Sequence, residues 1–100
     1  MSVELTPDDV LAVVSRTPRS VGDLGLAVVA AHGHDLEVAE GEPVGQRLAS
    51  AGLSLSALQR VVDQLVREGQ VVEVRGRELW ALELPTQGTK AMGRYYLSPA

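Results

Sequence analysis

The chain has 100 residues, an apolar fraction of 45% and a formal net charge of −4, which suits one globular domain spanning residues 1–100. It contains no cysteine, so disulfides, thiolate metal sites and thiol nucleophiles are excluded. It shows no apolar run of about 18 residues, the length of a membrane span, and no basic leader with an apolar stretch. We therefore expect a cytoplasmic protein without a membrane partner.

Charge is distributed unevenly along the chain. Residues 1–50 carry three basic and eight acidic side chains, a net charge of −5, whereas residues 51–100 carry six basic and five acidic ones, a net charge of +1. The second half is therefore where a surface that contacts phosphate is expected.

Start and stop signals predict three helices in the first half. Thr6 can cap the first helix and Ser20 the second, while Pro43 is suited to the opening of the third. The predicted ranges are about 7–16, 20–31 and 44–51, with an acidic loop over 33–43.

A fourth helix, predicted over about 55–68, carries the clearest periodicity. Its apolar residues recur at i, i+3, i+4 and i+7, so they share one face and leave polar side chains on the other. Ser54 or Ser56 can cap its start, and Gly69 is suited to end it. The apolar face consists of Leu58, Val61, Val62 and Leu65.

After Gly69 the apolar period changes to that of β-strands. Strands are predicted over about 71–75, 78–84 and 94–97, with a turn at 75–77. In the second strand, alternation places Trp80, Leu82 and Leu84 on one face, and we expect Trp80 to pack rather than to stack on bases. Of Tyr95 and Tyr96, one is expected to point outward because neighbours in a strand face opposite sides.

The segment from Gly52 to Val72, Gly-Leu-Ser-Leu-Ser-Ala-Leu-Gln-Arg-Val-Val-Asp-Gln-Leu-Val-Arg-Glu-Gly-Gln-Val-Val, resembles the recognition helix and first wing strand of bacterial winged helix-turn-helix regulators. The later Gly-Arg-Tyr-Tyr-Leu is similar to the return strand of their wing. The resemblance covers about residues 44–97. It implies an α+β winged helix-turn-helix fold, with an N-terminal helical bundle followed by a C-terminal β-hairpin wing.

The resemblance also implies sequence-specific binding of duplex DNA by a small transcriptional regulator. The fourth helix would lie in the major groove and the wing against the backbone. Candidates for base contacts are Ser54, Ser56, Gln59, Arg60 and Gln64, and candidates for backbone contacts are Arg75, Arg77, Thr89, Lys90 and Arg94.

One position departs from the usual motif. A small residue usually stands four before the turn glycine, where the two helices touch, but here that position holds Leu48. Either the helix that contains Leu48 is rotated, or the helix that begins at Ser20 takes its role as the first helix of the motif.

Functions other than DNA binding have less support in the sequence. His32 and His34 lie near Asp35 and Glu37, but no regular element fixes this spacing and no third histidine exists, so a metal site is not predicted. Neither a phosphate-binding glycine loop nor a catalytic arrangement is evident, and we expect neither an enzyme nor a cofactor.

The main alternative is a winged-helix module that binds protein instead of DNA. The net acidity favours this alternative, and the acidic segment 35–42 would be its partner surface. For a DNA-binding protein, a homodimer is plausible because one recognition helix contacts few base pairs. Its surface would be the terminal strand or the first helix, through Val10, Leu11 and Val14.

Overall fold

The computed structural model describes residues 5–34, 36, 42–81, 90 and 92–99. Within these residues the chain is a small α+β domain of five helices and one two-stranded antiparallel sheet. None of the described helices has the length and apolar character needed to cross a bilayer. The elements are α1 (Pro7–Val13), α2 (Val21–Ala31), α3 (Val44–Ser50), α4 (Leu55–Arg67), β1 (Val72–Arg75), α5 (Gly76–Ala81) and β2 (Arg94–Leu97).

Side-chain oxygens cap three helix starts, as predicted for α1 and α2. Thr6 accepts a hydrogen bond from the backbone N–H of Asp9 at 3.4 Å, and the Asp9 carboxylate accepts one from the N–H of Thr6 at 2.9 Å. This capping box lowers the pKa of Asp9 below its ordinary value, mainly because the backbone hydrogen bond stabilises the carboxylate. Ser20 caps α2, and Ser54, rather than Ser56, caps α4.

Glycines end α3 and α4 in left-handed conformations. Gly52 and Gly69 have φ angles of +82° and +76°, which residues with a Cβ rarely adopt. The N–H that follows each glycine bonds back into the last turn at 2.9 Å, to the carbonyl of Leu48 in α3 and of Leu65 in α4. The Schellman motif at Gly69 confirms the predicted end of α4, and Gly52 ends α3 in the same way.

The core lies under the apolar face of α4. Leu58, Val62 and Leu65 are buried there, while Val61 is only half-buried at the edge. α4 contacts α1, α2 and α3, so a single face packs against three other helices. The opposite face is consequently left to solvent.

The contact between helices is closest at Gly25 of α2. A Cβ placed on Gly25 would lie 2.6 Å from Leu48 Cδ1 and 3.0 Å from Leu58 Cδ2. Both distances are too short for ordinary packing, so only glycine fits between α3 and α4 in this arrangement. The small residue at this helix crossing is therefore Gly25 of α2, the helix that follows Ser20.

Helix α1 is shorter than predicted. It ends at Val13 rather than near residue 16, because Val14 is already extended with a ψ of 134°. The chain must straighten here to bring Arg19 beside Tyr96, where the two backbones exchange hydrogen bonds of 3.0 and 2.8 Å. Tertiary pairing therefore ends the helix before the predicted bound near residue 16.

Strand β2 lies between β1 and the single paired residue Arg19. β1 and β2 are antiparallel, with Val72 opposite Leu97 and Arg75 opposite Arg94. Both strands were predicted at nearly these bounds. β2 is thus bordered on both sides.

The predicted turn at 75–77 and strand over 78–84 are wrong wherever the structure describes them. Gly76–Ala81 is helix α5, and β1 pairs with β2 instead. The strand prediction rested on the alternation of Trp80, Leu82 and Leu84 and took no account of Leu79. In the structure Leu79 is buried, whereas Trp80 is 50% exposed. The run Leu79–Leu82 suits a helix as well as a strand; Leu82 and Leu84 lie outside the described residues.

The expectation that one tyrosine points outward is also wrong. Tyr95 and Tyr96 face opposite sides of the sheet, yet both are buried. The Tyr95 hydroxyl accepts a hydrogen bond from the backbone N–H of Lys90 at 2.8 Å, and Gly93 lies against its ring. The segment before β2 therefore covers the side that was expected to be open.

Candidate nucleic-acid interface

The exposed face of α4 is a polar stripe, which we call the α4 stripe. Its members stand at i, i+4, i+8 and i+11, so they lie along one side of the helix. Among the described residues, no carboxylate lies within 4 Å of a guanidinium in this stripe. The α4 stripe consists of Ser56, Arg60, Gln64 and Arg67, all exposed.

Four of the five predicted base-contacting residues are exposed at α4. Ser56, Arg60 and Gln64 belong to the α4 stripe, and Ser54 is exposed at the cap, where its hydroxyl accepts from the N–H of Ala57 at 3.3 Å. Arg67 was not predicted as a contact residue. Its spacing of seven from Arg60 was the signal, since residues two turns apart share a face.

Gln59, the fifth predicted base-contacting residue, is engaged in hydrogen bonds within the domain. Its amide nitrogen donates to Asp63 Oδ1 at 2.9 Å and to the Tyr96 hydroxyl at 3.0 Å. Both amide hydrogens are used, so bidentate recognition of adenine by Gln59 would require breaking these bonds. In this geometry Gln59 fastens α4 to β2.

Tyr96 gives this connection a pH dependence. Burial raises the pKa of its phenol above the ordinary value of 10.0, although the hydrogen bond from Gln59 opposes that shift. The folded state therefore binds the phenolic proton more tightly than the unfolded state does. As a result, the contribution of Tyr96 to the free energy of unfolding is fully present below pH 10 and falls as the pH rises above 10.

We therefore expect the stability advantage of the wild type over Tyr96→Phe to shrink above pH 10. Near neutral pH the advantage should be about 1 kcal/mol, from the lost hydrogen bond. Urea unfolding of both proteins from pH 7 to pH 11 measures it. An advantage that stays constant or grows above pH 10 would contradict this assignment.

Two predicted phosphate contacts share a face of the sheet with Tyr96. Arg94 precedes Tyr96 by two residues, and Arg75 stands directly opposite Arg94, so both side chains emerge on the side from which Tyr96 reaches α4. Glu73 shares this face, and its carboxylate lies 3.6 Å from Arg94 Nε. This pair is largely exposed, with Arg94 57% accessible, so it adds little to stability.

The remaining wing candidates are spread over the connection between β1 and β2. Arg77 is exposed on α5 rather than in a turn, and Lys90 is exposed beside β2. Thr89 lies outside the described residues.

A groove of about 430 Å³ runs beside the N-terminal half of α4. Its walls combine apolar side chains from the starts of α2 and α4 with the polar residues of α4. The lining residues are Val21, Leu55, Ser56, Gln59 and Arg60. Apolar surface thus lies directly next to Arg60.

His32 and Glu42 each contact an oppositely charged or titratable side chain of the same domain. His32 Nε2 lies 3.2 Å from Asp9 Oδ1, which joins the end of α2 to the start of α1. No group of three potential metal ligands occurs among the described residues. Of the acidic segment 35–42, the structure describes Leu36 and Glu42, and Glu42 lies 3.4 Å from Arg47 Nε.

Comparison with known proteins identifies no match for this chain. No protein-family model, curated protein or solved structure matches the chain.

Proposed function

We propose that the chain is a winged-helix domain that binds duplex DNA sequence-specifically and acts as a small cytoplasmic transcriptional regulator. In this proposal α4 lies in the major groove, and the β1–β2 pair with its connection is the wing on the backbone. The observation that carries the proposal is the α4 stripe, which presents two exposed arginines without a carboxylate in ion-pair contact among the described residues.

The length and chemistry of the α4 stripe support base recognition. Ser56 and Arg67 are eleven residues apart, about 16 Å along a helix, and the major groove admits a helix of this kind. Arg60 can bind guanine through two hydrogen bonds, and the Gln64 amide can bind adenine in the same way. The apolar groove walls at Val21 and Leu55 are suited to a thymine methyl group.

The orientation of the β1–β2 sheet supports contacts with the phosphate backbone of DNA. Arg75 and Arg94 lie on the same face of the sheet as Tyr96, whose hydroxyl contacts Gln59 of α4. A duplex bound along α4 would therefore lie close to both cations. Phosphate requires a positive charge but little base geometry. Glu73 is not an obstacle, because its exposed pair with Arg94 is weak enough for a phosphate to replace it.

Replacing Arg60 and Lys90 by alanine should have different effects. Arg60→Ala should weaken a selected duplex about tenfold or more while changing random duplex little, because it removes a base contact. Lys90→Ala should weaken both duplexes by similar factors, because it removes a phosphate contact. The duplex is first selected from a randomised pool with the wild type, and affinities are then measured at one fixed salt concentration.

Arg16→Ala is the matched control for charge. Arg16 is exposed and lies near the far end of β2, where the Ser98 N–H bonds to the Ser15 carbonyl at 2.8 Å. Its loss removes the same charge and should leave both affinities nearly unchanged. Equal effects of Arg60→Ala on selected and random DNA would contradict the base-reading role.

A protein-binding winged-helix module is the second candidate. The observation that favours it is the presence of carboxylates among the wing cations, with Glu73 beside Arg94 and Glu78 on α5 close to β1. These acids reduce the positive potential that phosphate needs. Absence of DNA binding by a folded wild type at low salt would favour this candidate.

A further inference from the structure

The outer edge of β1 is left unpaired by the strands that the structure describes. β2 pairs with Arg19 on one side and with β1 on the other, and no described strand continues the sheet beyond β1. An open edge with free backbone groups is a template for another strand. Among the described strands, β1 and not the terminal strand β2 therefore has an edge open for pairing with a second chain.

The hydrogen-bond pattern shows which groups face this open edge. Tyr96 directs its N–H and C=O toward Arg19, so its neighbours Tyr95 and Leu97 direct theirs toward Val74 and Val72 of β1. Alternation along β1 then turns the N–H and C=O of Glu73 and the N–H of Arg75 outward. The Arg75 carbonyl is not free, because Arg75 precedes α5 and its C=O accepts the first hydrogen bond of that helix. Gly76 fits this pattern, because its N–H bonds to the Gly93 carbonyl at 2.9 Å on the β2 side.

We propose that two copies of this chain dimerise by antiparallel pairing of their β1 edges, with the two-fold axis at Val74. This register places Glu73 of each copy opposite Arg75 of the other. The Arg75 N–H of each copy can then donate to the Glu73 carbonyl of the other, giving about two backbone hydrogen bonds in all. The edge is thus self-complementary in hydrogen bonding and in charge, as a two-fold interface requires.

The surface beside the outer edge of β1 is also suited to a second β1 strand. A groove of about 490 Å³ follows β1 from the end of α4 to α5, and much of its wall is valine. Val72 is 39% exposed there, so a second β1 strand would remove apolar surface from water as well as complete the sheet. The valines that line this groove are Val66, Val71, Val72 and Val74.

The alternative dimer surface on α1 is less suited. Val10 is fully buried, and Leu11 and Val14 pack against the core of the same chain. Little of their apolar surface remains for a partner. The proposed dimer shares Arg75 with the proposed DNA surface, so it is tested in the absence of DNA.

Two charge-reversal variants test the register. In Glu73→Arg alone, the introduced guanidinium would face Arg75 of the partner subunit, and in Arg75→Glu alone, two carboxylates would face each other. Each variant should dimerise about tenfold more weakly than the wild type, since like charges directly opposite are unfavourable. An equimolar mixture should form a heterodimer, because each reversed charge then meets its complement.

Sedimentation velocity over a micromolar concentration series measures the oligomeric state, and circular dichroism checks that each variant is folded. Arg75→Pro is the additional variant, because it removes one outward N–H without touching the bonds to β2, and it should remain a folded monomer. The expected result is a wild-type dimer, weakened single variants and a restored mixture. A wild type that stays monomeric, a dimer that survives Arg75→Pro, or a mixture no stronger than its components would overturn the proposal.

Discussion

Replacing Leu58 by alanine should lower the free energy of unfolding by about 3 kcal/mol. Leu58 is fully buried on the apolar face of α4, and its Cδ2 approaches the backbone of α2 at Gly25. Truncation removes apolar contacts and leaves a cavity at the crossing of α2 and α4. Since domains of this size have a free energy of unfolding of about 5–15 kcal/mol, this is a large fraction of the total.

Urea unfolding of the two proteins measures this loss, with an unchanged dependence on urea showing that the variant unfolds as the wild type does. Gln64→Ala is the matched control, because it shortens an exposed side chain on the same helix and should change stability by less than about 0.5 kcal/mol. A loss below about 1 kcal/mol for Leu58→Ala would show that this face of α4 is not buried as described.

Replacing Gly25 by valine should cost about 2–3 kcal/mol through overpacking. The Cβ alone would lie 2.6 Å from Leu48 Cδ1, and two further methyl groups would have to fit between buried leucines. Leu48 cannot move outward freely because it is itself fully buried. The helices would therefore have to separate.

Ala30→Val provides the control for helix propensity, because Ala30 is exposed on the same helix and valine there should cost less than about 1 kcal/mol. Chemical denaturation again gives both values. Combining Gly25→Val with Leu48→Ala should recover part of the loss, as expected for residues in contact. Equal costs at positions 25 and 30 would refute the close crossing.

Elements with strong local signals could be predicted from the sequence. α2, α3 and α4 begin and end within about one residue of their predicted bounds, because a cap or a glycine defines most of these ends. β1 and β2 were likewise predicted well, since Val72–Arg75 and Arg94–Leu97 are short runs rich in β-formers.

Features that depend on distant partners could not be predicted. α1 ends early because Arg19 pairs with Tyr96, seventy-seven positions further along the sequence, and no local signal reports such a contact. α5 was mistaken for a strand because its six residues are too few for periodicity to distinguish the two. Tertiary contacts decide both cases.

The candidate site was predicted in the same mixed way. Exposure of Ser56, Arg60 and Gln64 follows from the helical period, which the sequence displays. The inward position of Gln59 depends on the Tyr96 hydroxyl, which becomes its neighbour only after the sheet has formed. The positions of the charged side chains on the β1–β2 sheet likewise depend on the register of β1 with β2.

Binding of the wild-type chain to random duplex DNA at a low and a moderate salt concentration tests the proposed function most directly. If Arg75, Lys90 and Arg94 contact phosphates, the chain should bind at low salt, and the logarithm of its affinity should fall with the logarithm of salt concentration with a slope of about −3. A folded chain that does not bind at low salt, or whose affinity does not change with salt, would contradict DNA binding by this domain.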